Sequence, residues 1–315
     1  MTSAAPAPSG PTGWPPPPFL APAPAVTGAD GVRHFDGLSY ATSPGYRPRL
    51  LDVHVPPGRR PVPAVVWIHG GGWLEGDRRF PPPTVPVELL HGAVLGAGLA
   101  LVSVDYRHSL EAPFPAQLHD VKAAIRYVRR HADVLGVDAE RIGAWGESAG
   151  GHLAALAGLV RADAHGTGLE GREGVPDGDS GVRAVVDWYG VSDIAPLLAR
   201  PLAALPDPPD APPCPRPLDA LLGGPADERA ERARAASPVT YAPGAVPPPF
   251  LLFHGREDQV VPHSQSEALL RALTAAGGDA ELRTVEGADH IFLGSPDVPA
   301  IVAESVDFLR RHLTA

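Results

Sequence analysis

The chain has 315 residues, of which 44% are hydrophobic and 20% are charged, a composition typical of a globular protein with one large α/β core. Its 26 Lys and Arg residues against 36 Asp and Glu residues give a formal net charge of −10, and basic residues occur in runs no longer than a pair. These values exclude the basic surface that binds nucleic acid or an anionic membrane. No segment approaches the roughly 18 consecutive apolar residues that a transmembrane helix needs.

Residues 1–27 are dominated by Ala and Pro and have neither a basic start nor a long apolar run. Such a segment buries too little apolar surface to offset its ordering entropy, so we expect a flexible tail followed by one domain over residues 28–315. The lack of a signal-peptide pattern predicts a cytoplasmic protein. The single cysteine, Cys214, cannot form an internal disulfide and is expected to be a bystander.

Short apolar runs alternate with helical patterns from residue 50 onward, which predicts parallel strands joined by crossover helices. The predicted strands are Leu50–Val55, Ala64–His69, Leu99–Asp105, Arg141–Trp145, Val182–Trp188, Phe250–His254 and Ala280–Val285. The predicted helices are Pro115–Ala132, Ser148–Val160, Ser264–Ala276 and Val298–His312. Several strands are apolar without alternation, so the fold is predicted to be a mostly parallel central sheet with helices on both faces.

The helix Pro115–Ala132 shows the clearest amphipathic pattern. Its apolar side chains recur at spacings of three and four, which places them on one face. Four basic side chains fall on the other face and are expected to point into solvent: Lys122, Arg126, Arg129 and Arg130.

Two stretches interrupt the alternation of strands and helices. Residues 162–181 are rich in Gly, Asp and Glu and are predicted to form a mobile loop. Residues 195–245 hold many prolines around one helix-forming patch, Asp227–Ala236. An insertion of this length between strands is more typical of a functional lid than of a connection, so we expect a small irregular cap over the site.

The run Gly146-Glu147-Ser148-Ala149-Gly150 lies between a predicted strand and a predicted helix. Glycines two positions before and two after the serine permit the tight turn of a nucleophile elbow, which exposes the hydroxyl at the end of the sheet. The pentapeptide also occurs by chance in glycine-rich chains, but the flanking strand and helix favour function. Ser148 is therefore predicted to be the nucleophile of an acyl-transfer reaction.

A serine nucleophile needs a base, and the base needs an orienting carboxylate. Asp258 follows the strand Phe250–His254, and His290 lies on the loop before the last helix. Both loops belong to the sheet edge where open α/β sheets carry their sites. Alternatively, Asp258 only forms a turn, with Glu257 as the other candidate acid. His290 could likewise be an ordinary histidine of the surface or core. The order of nucleophile, acid and base is that of the α/β-hydrolases.

Backbone amides are needed to stabilise the oxyanion of such a reaction. The run His69-Gly70-Gly71-Gly72-Trp73 follows a buried strand, and Gly71 and Gly72, with Ala149 after the nucleophile, are the predicted donors. A phosphate-binding loop is the alternative reading of three glycines, but neither a lysine nor a clear helix follows them.

Three further residues adjoin these motifs and are candidates for substrate contacts: Trp73, Glu147 and Tyr189. Glu147 is expected to point away from the nucleophile across the elbow, so a structural role is favoured for it. No metal and no other cofactor are expected, because the histidines considered as ligands lack the spacing of a metal motif; these are His108, His119 and His152.

Together these motifs resemble the α/β-hydrolase esterases of the hormone-sensitive-lipase-like and feruloyl-esterase-like (BD-FAE) type. The segments Val104–Arg107, Phe114–Val121 and Trp188–Asp193 resemble the second group, and the likeness spans about residues 30–313. The resemblance implies an α/β-hydrolase fold in which Ser148 is the nucleophile, His290 the base and acid, and Asp258 the orienting residue. It also implies that the predicted amide donors form the oxyanion hole.

The expected reaction is hydrolysis of a small to medium carboxylic ester through an acyl-enzyme, without a cofactor. Relatives with a similar His-Gly-Gly-x-Trp loop include aryl formamidases, so an amide substrate is an alternative. A noncatalytic or cyclase-like protein on the same scaffold is another. The tail and the proline-rich cap depart from the family pattern, which leaves the acyl preference open. Neither the alcohol group nor the oligomeric state can be predicted from these motifs.

Overall fold

In the computed structural model, which describes residues 16–161, 168–198, 216–223 and 228–314, nine strands form one sheet. In chain order they are β1 (Val26–Thr27), β2 (Arg33–Ala41), β3 (Arg49–Val55), β4 (Val62–Ile68), β5 (Ala100–Val104), β6 (Val137–Glu147), β7 (Val185–Trp188), β8 (Phe250–Gly255) and β9 (Ala280–Val285). Their order across the sheet is β1-β2-β3-β5-β4-β6-β7-β8-β9. The pairs β1/β2, β2/β3 and β3/β5 are antiparallel, and the others are parallel. The sheet is therefore mostly parallel, as predicted.

Helices cover both faces of this sheet. In chain order the described helices are α1 (Val87–Gly96), α2 (Ala116–Arg130), α3 (Ala132–Leu135), α4 (Ala149–Leu159), α5 (Ala195–Leu198), α6 (Pro217–Leu222), α7 (Arg229–Ala235), α8 (Ser264–Ala275) and α9 (Val298–Thr314). Alternate side chains of β4 enter two separate apolar clusters, Val66 in one and Trp67 in the other. The first cluster includes side chains of α2, α4 and α8, and the second includes those of α1 and α9.

All seven predicted strands and all four predicted helices are present; β9 has the predicted bounds, and the others differ at one or both ends. The prediction missed β2, whose pairing with β3 is interrupted by register shifts between Phe35 and Leu38 and between Ser39 and Ala41. Such irregularities break the two-residue alternation that identifies a strand. It also missed α1, because the apolar residues of this helix are distributed all around it and do not lie on one face.

The folded unit begins earlier than residue 28. Residues 1–15 lie outside the described residues, but the Leu20 amide donates to the Ser39 carbonyl at 2.9 Å and the Tyr127 hydroxyl donates to the Leu20 carbonyl at 2.8 Å. The Phe19 ring packs edge-on against the Tyr127 ring, with 6.2 Å between centroids. Residues 19–27 therefore pack on the domain instead of belonging to the predicted tail, because one aromatic side chain and main-chain hydrogen bonds anchor them.

The predicted cap, residues 195–245, is described in part. It contains α5, α6, α7 and a 3₁₀ turn at Pro238–Thr240, and α7 corresponds to the helix-forming patch identified in the sequence. Residues 199–215, which include Cys214, and residues 224–227 lie outside the described residues.

Two basic residues of α2 are buried, in contrast to the prediction. Lys122 Nζ lies 3.0 Å from Glu170 Oε2, and Arg126 Nη1 lies 2.8 Å from Glu170 Oε1. Lys122 also donates to the Val160 carbonyl at 2.8 Å and to the Ser180 hydroxyl at 2.9 Å. The pattern of α2 alone could not predict this, because the segment 168–181, predicted to be a mobile loop, supplies the carboxylate and packs on the helix. Residues 162–167 of that loop lie outside the described residues.

We expect Glu170→Ala to lower the free energy of unfolding by about 3 kcal/mol, the lower end of the cost of breaking a buried ion pair. The loss is large because Lys122 and Arg126, both almost fully buried, lose their shared carboxylate. It stays at the lower end because Lys122 keeps two neutral acceptors. Urea unfolding measures the change. Asp177→Ala, at an exposed position of the same segment, should change it by less than about 0.5 kcal/mol, and equal effects of the two variants would contradict this account.

Three histidines form a cluster at β2, β3 and α1. His34 Nδ1 lies 2.8 Å from His54 Nδ1, and the rings of His54 and His91 are 5.0 Å apart between centroids. Burial, together with the neighbouring His54, lowers the pKa of His91 to about 4. The unfolded chain, with a histidine pKa of about 6.5, therefore binds a proton more readily at this residue than the folded protein does.

It follows that the contribution of neutral His91 to stability is present above about pH 6.5 and is lost as the pH falls toward 4. We expect His91→Asn to show a smaller decrease in Tm between pH 7 and pH 4.5 than the wild-type protein. His312→Asn, at a partly exposed position on α9, should show the wild-type decrease. Thermal unfolding at the two pH values measures both, and an unchanged decrease in His91→Asn would contradict the prediction.

Candidate active site

The turn from β6 into α4 has the geometry of a nucleophile elbow. Ser148 lies between the two elements with φ 52° and ψ −118°, a conformation that is strained for a residue other than glycine. A Cβ atom on Gly146 would lie 2.1 Å from the Gly150 carbonyl oxygen, and a Cβ on Gly150 would lie 2.0 Å from the Ile68 carbonyl oxygen. The two flanking positions therefore accept only glycine, and this requirement explains the Gly-x-Ser-x-Gly pattern.

The structure brings Ser148, His290 and Asp258 into one hydrogen-bonded line. Ser148 Oγ lies 3.0 Å from His290 Nε2, and His290 Nδ1 lies 2.7 Å from Asp258 Oδ2. The other carboxylate oxygen, Asp258 Oδ1, accepts hydrogen bonds from the amides of Val260 at 2.9 Å and Val261 at 2.8 Å. The three side chains follow β6, β8 and β9, so the carboxyl ends of three parallel strands position them at one edge of the sheet.

Asp258 also contacts a second histidine, which the sequence analysis did not identify. His254 Nε2 lies 3.3 Å from Asp258 Oδ2 and donates to the Val261 carbonyl at 2.8 Å, while Nδ1 lies 2.7 Å from Ser266 Oγ. Burial alone would raise the pKa of Asp258, but hydrogen bonds with His254 and His290 outweigh it and lower the pKa to about 2. The only signal in the sequence was a histidine within a buried strand, four residues before the acid.

The glycine-rich loop after β4 adopts a left-handed backbone over three consecutive residues. The φ angles are 98° at Gly71, 59° at Gly72 and 59° at Trp73, and the Gly71 carbonyl accepts a hydrogen bond from the Leu74 amide at 3.0 Å. Successive amides in such turns form a concave anion site. In the described part of the chain, the amides of Gly71, Gly72 and Ala149 donate to no protein acceptor, so they are available to a ligand.

The three residues considered for substrate contacts are buried, with exposed fractions of 3% for Trp73, 6% for Glu147 and 0% for Tyr189. Glu147 Oε1 accepts from the Gly70 amide at 2.6 Å, which ties the elbow to the glycine-rich loop. The Tyr189 ring lies edge-on to the His290 ring, 4.9 Å between centroids, and burial, together with the charge of Glu147, raises the pKa of the Tyr189 hydroxyl. Burial raises the pKa of Glu147. The burial of these side chains favours a structural role in holding the site, as expected for Glu147. It does not favour direct contacts with the substrate.

The histidines considered as metal ligands lie apart from one another. His119 Nδ1 lies 3.5 Å from Glu173 Oε1, His108 lies edge-on to Tyr106, and His152 is buried within α4. Over the ranges that the structure describes, no group of three or more His, Cys, Asp or Glu side chains is placed to hold a metal ion. None of the helices described there is both long and apolar enough to span a bilayer.

Two curated relatives cover most of this chain. Esterase LipQ of Mycobacterium tuberculosis is 33% identical over 274 residues, which are 84% of this chain and 60% of LipQ. Esterase LipC of the same organism is 32% identical over 221 residues, which are 69% of this chain and 49% of LipC. The chain thus spans about half to three fifths of the length of these relatives.

Two of the solved structures with a similar fold are described as esterases. A truncated carbohydrate esterase from gut microbiota has a TM-score of 0.74 and 29% identity, covering 90% of this chain and 96% of that chain. Esterase 2 of Thermogutta terrifontis, phosphonylated by cyclosarin, has a TM-score of 0.64 and 26% identity, covering 88% and 93%.

The family model named BD-FAE matches residues 51–273, a span that includes the nucleophile elbow, the glycine-rich loop and Asp258. His290 lies beyond the matched span, on the loop after β9. The match covers more than half of the chain. The chain therefore belongs to the BD-FAE family and has the α/β-hydrolase fold.

Proposed function

We propose that the protein is a serine carboxylesterase that hydrolyses a small to medium carboxylic ester through an acyl-enzyme intermediate. The observation that carries this proposal is the line from Ser148 Oγ to His290 Nε2 and from His290 Nδ1 to Asp258 Oδ2, with distances of 3.0 and 2.7 Å. A hydroxyl, an imidazole and a carboxylate in this order are the parts of a serine hydrolase.

In the first half of the reaction, Ser148 Oγ attacks the ester carbonyl carbon while its proton moves to His290 Nε2. The Asp258 carboxylate stabilises the imidazolium that forms, and its pKa of about 2 keeps it ionised at neutral pH. The amides of Gly71, Gly72 and Ala149 donate to the oxyanion. The tetrahedral intermediate then loses the alcohol, to which the imidazolium returns the proton.

In the second half, His290 Nε2 accepts a proton from water, and the resulting hydroxide attacks the acyl-enzyme carbonyl. Collapse of the second intermediate breaks the bond to Ser148 Oγ, which takes the proton back from the imidazolium. The products are a carboxylic acid and the free enzyme, so water is the only co-reactant.

Similar proteins support a small acyl group and a nucleophile that reacts with organophosphates. LipQ and LipC are named esterases, and the Thermogutta terrifontis esterase has been solved with butyrate bound and after reaction with organophosphates. We extend these properties to this chain because its hydroxyl, imidazole and carboxylate are arranged as a serine hydrolase requires.

A substrate panel tests the proposal: p-nitrophenyl acetate, butyrate and octanoate, a feruloyl ester and N-formylkynurenine. We expect the highest kcat/KM among the esters, with acetate or butyrate preferred to octanoate. A higher kcat/KM for the formamide would replace the proposal by an amidase. Folded protein that cleaves none of the five would favour a noncatalytic protein.

A further inference from the structure

Trp73, the last residue of the glycine-rich loop, has a backbone that needs external support. Its φ of 59° is unfavourable for a bulky side chain and persists only where surrounding contacts hold it. Two hydrogen bonds do so: the Ser109 amide donates to the Trp73 carbonyl at 2.7 Å, and the Trp73 indole Nε1 donates to His152 Nδ1 at 3.1 Å. His152 lies on α4, four residues after Ser148, so the helix of the elbow supports the loop of the predicted oxyanion hole.

The two partners of His152 determine its tautomer. An indole N–H can only donate, so Nδ1 must accept; the Ala236 carbonyl, 2.6 Å from Nε2, can only accept, so Nε2 must carry the proton. The ring is therefore neutral and is held at both nitrogens. Burial lowers the pKa of His152 to about 4, which is consistent with this neutral form at physiological pH.

The second partner of His152, the Ala236 carbonyl, belongs to the predicted cap, because Ala236 directly follows α7. Another part of the cap approaches the same loop: a Cβ atom on Gly72 would lie 3.5 Å from side-chain atoms of Pro217, the first residue of α6. The Phe114 amide donates to the Leu221 carbonyl of α6 at 2.8 Å. The start of α6 thus lies against the glycine-rich loop, and His152 makes a polar connection between this loop and the end of α7.

We propose that His152 is a positioning residue that fixes the Gly71 and Gly72 amides for oxyanion binding by joining Trp73 to the end of α7. His152 does not touch the substrate. It acts through Trp73, and it makes the geometry of the oxyanion hole depend on the docking of the cap. The inference rests on the proposed esterase function.

Five variants test this role, with p-nitrophenyl butyrate as substrate and phenylboronic acid as a probe that forms a tetrahedral adduct with the serine. We expect His152→Leu to lower kcat about 10- to 100-fold, because misplacing oxyanion donors has effects of this order. KM should change less than about threefold, and affinity for the boronic acid should fall by a factor similar to that for kcat. Trp73→Phe, which removes the indole donor, should show the same pattern.

His152→Gln is the matched control, because its amide oxygen can accept from the indole and its amide nitrogen can donate to the Ala236 carbonyl. We expect it to recover most of the kcat that His152→Leu loses. The double variant Trp73→Phe/His152→Leu should have a kcat little lower than that of either single variant, because both substitutions remove the same hydrogen bond between Trp73 and His152. His312→Gln, on α9, should behave as the wild type.

Wild-type kcat in folded His152→Leu, or equal losses in His152→Leu and His152→Gln, would overturn the positioning role while leaving the esterase proposal intact. If His152→Leu fails to fold, the comparison of Trp73→Phe with His152→Gln decides instead, and wild-type kcat in Trp73→Phe overturns the role. A wild-type protein that hydrolyses no ester would refute the proposed function and this inference with it.

Discussion

Replacing Ser148 by alanine is expected to lower kcat for p-nitrophenyl butyrate by about 10⁶-fold, the loss typical of removing the nucleophile of a serine hydrolase. The reason is that no other hydroxyl is hydrogen-bonded to His290 Nε2 in the described part of the chain. Alanine keeps the Cβ atom, so the strained backbone at φ 52° is equally supported and the variant should fold normally. Steady-state hydrolysis and circular dichroism measure the two effects.

Ser264→Ala is a matched control, because this serine is exposed at the start of α8. We expect wild-type kcat and KM for it. Folded Ser148→Ala that retains more than about 1% of wild-type kcat would contradict the role of the hydroxyl.

Asp258→Asn is expected to lower kcat by about 10⁴-fold, as the corresponding change does in a serine protease. The structure explains why the substitution is so harmful. The amides of Val260 and Val261 both point at Asp258 Oδ1, so the asparagine must place its carbonyl oxygen there. Its NH₂ group then faces His290 Nδ1, which can only accept from it.

A histidine that accepts at Nδ1 carries its proton on Nε2, and this nitrogen can no longer take the proton of Ser148. The variant therefore holds the base in the wrong tautomer, although the fold is preserved. Glu257→Gln, at the exposed neighbouring acid, should leave kcat within about twofold of the wild type. A loss of less than about tenfold in Asp258→Asn, or an equal loss in Glu257→Gln, would show that Asp258 does not orient the base.

Local sequence patterns were sufficient where local geometry determines the structure. The run from Gly146 to Gly150 predicted the elbow because two close approaches of the backbone leave no room for a side chain. Apolar runs such as Ala64–Ile68 predicted buried strands because both faces of the sheet are covered. The family resemblance was confirmed by the BD-FAE match over residues 51–273.

Features that depend on distant segments could not be predicted in this way. Lys122 looked exposed from the pattern of its helix, but its partner Glu170 lies 48 positions away and on another segment. The roles of His254 and His152 could not be identified among thirteen histidines. Only the folded chain brings His254 to Asp258 and His152 to Trp73. Nothing in the residues around Trp73 indicated that its indole N–H would donate to His152 inside the protein.

The hydroxyl of Ser148 is the group proposed to carry the acyl intermediate. Incubation with a fluorophosphonate, followed by peptide mass spectrometry and a parallel esterase assay, tests this directly. We predict one adduct per chain, located on Ser148, with loss of activity in proportion to labelling. Activity that persists after complete labelling of Ser148, or inactivation with the adduct on another residue, would contradict the account.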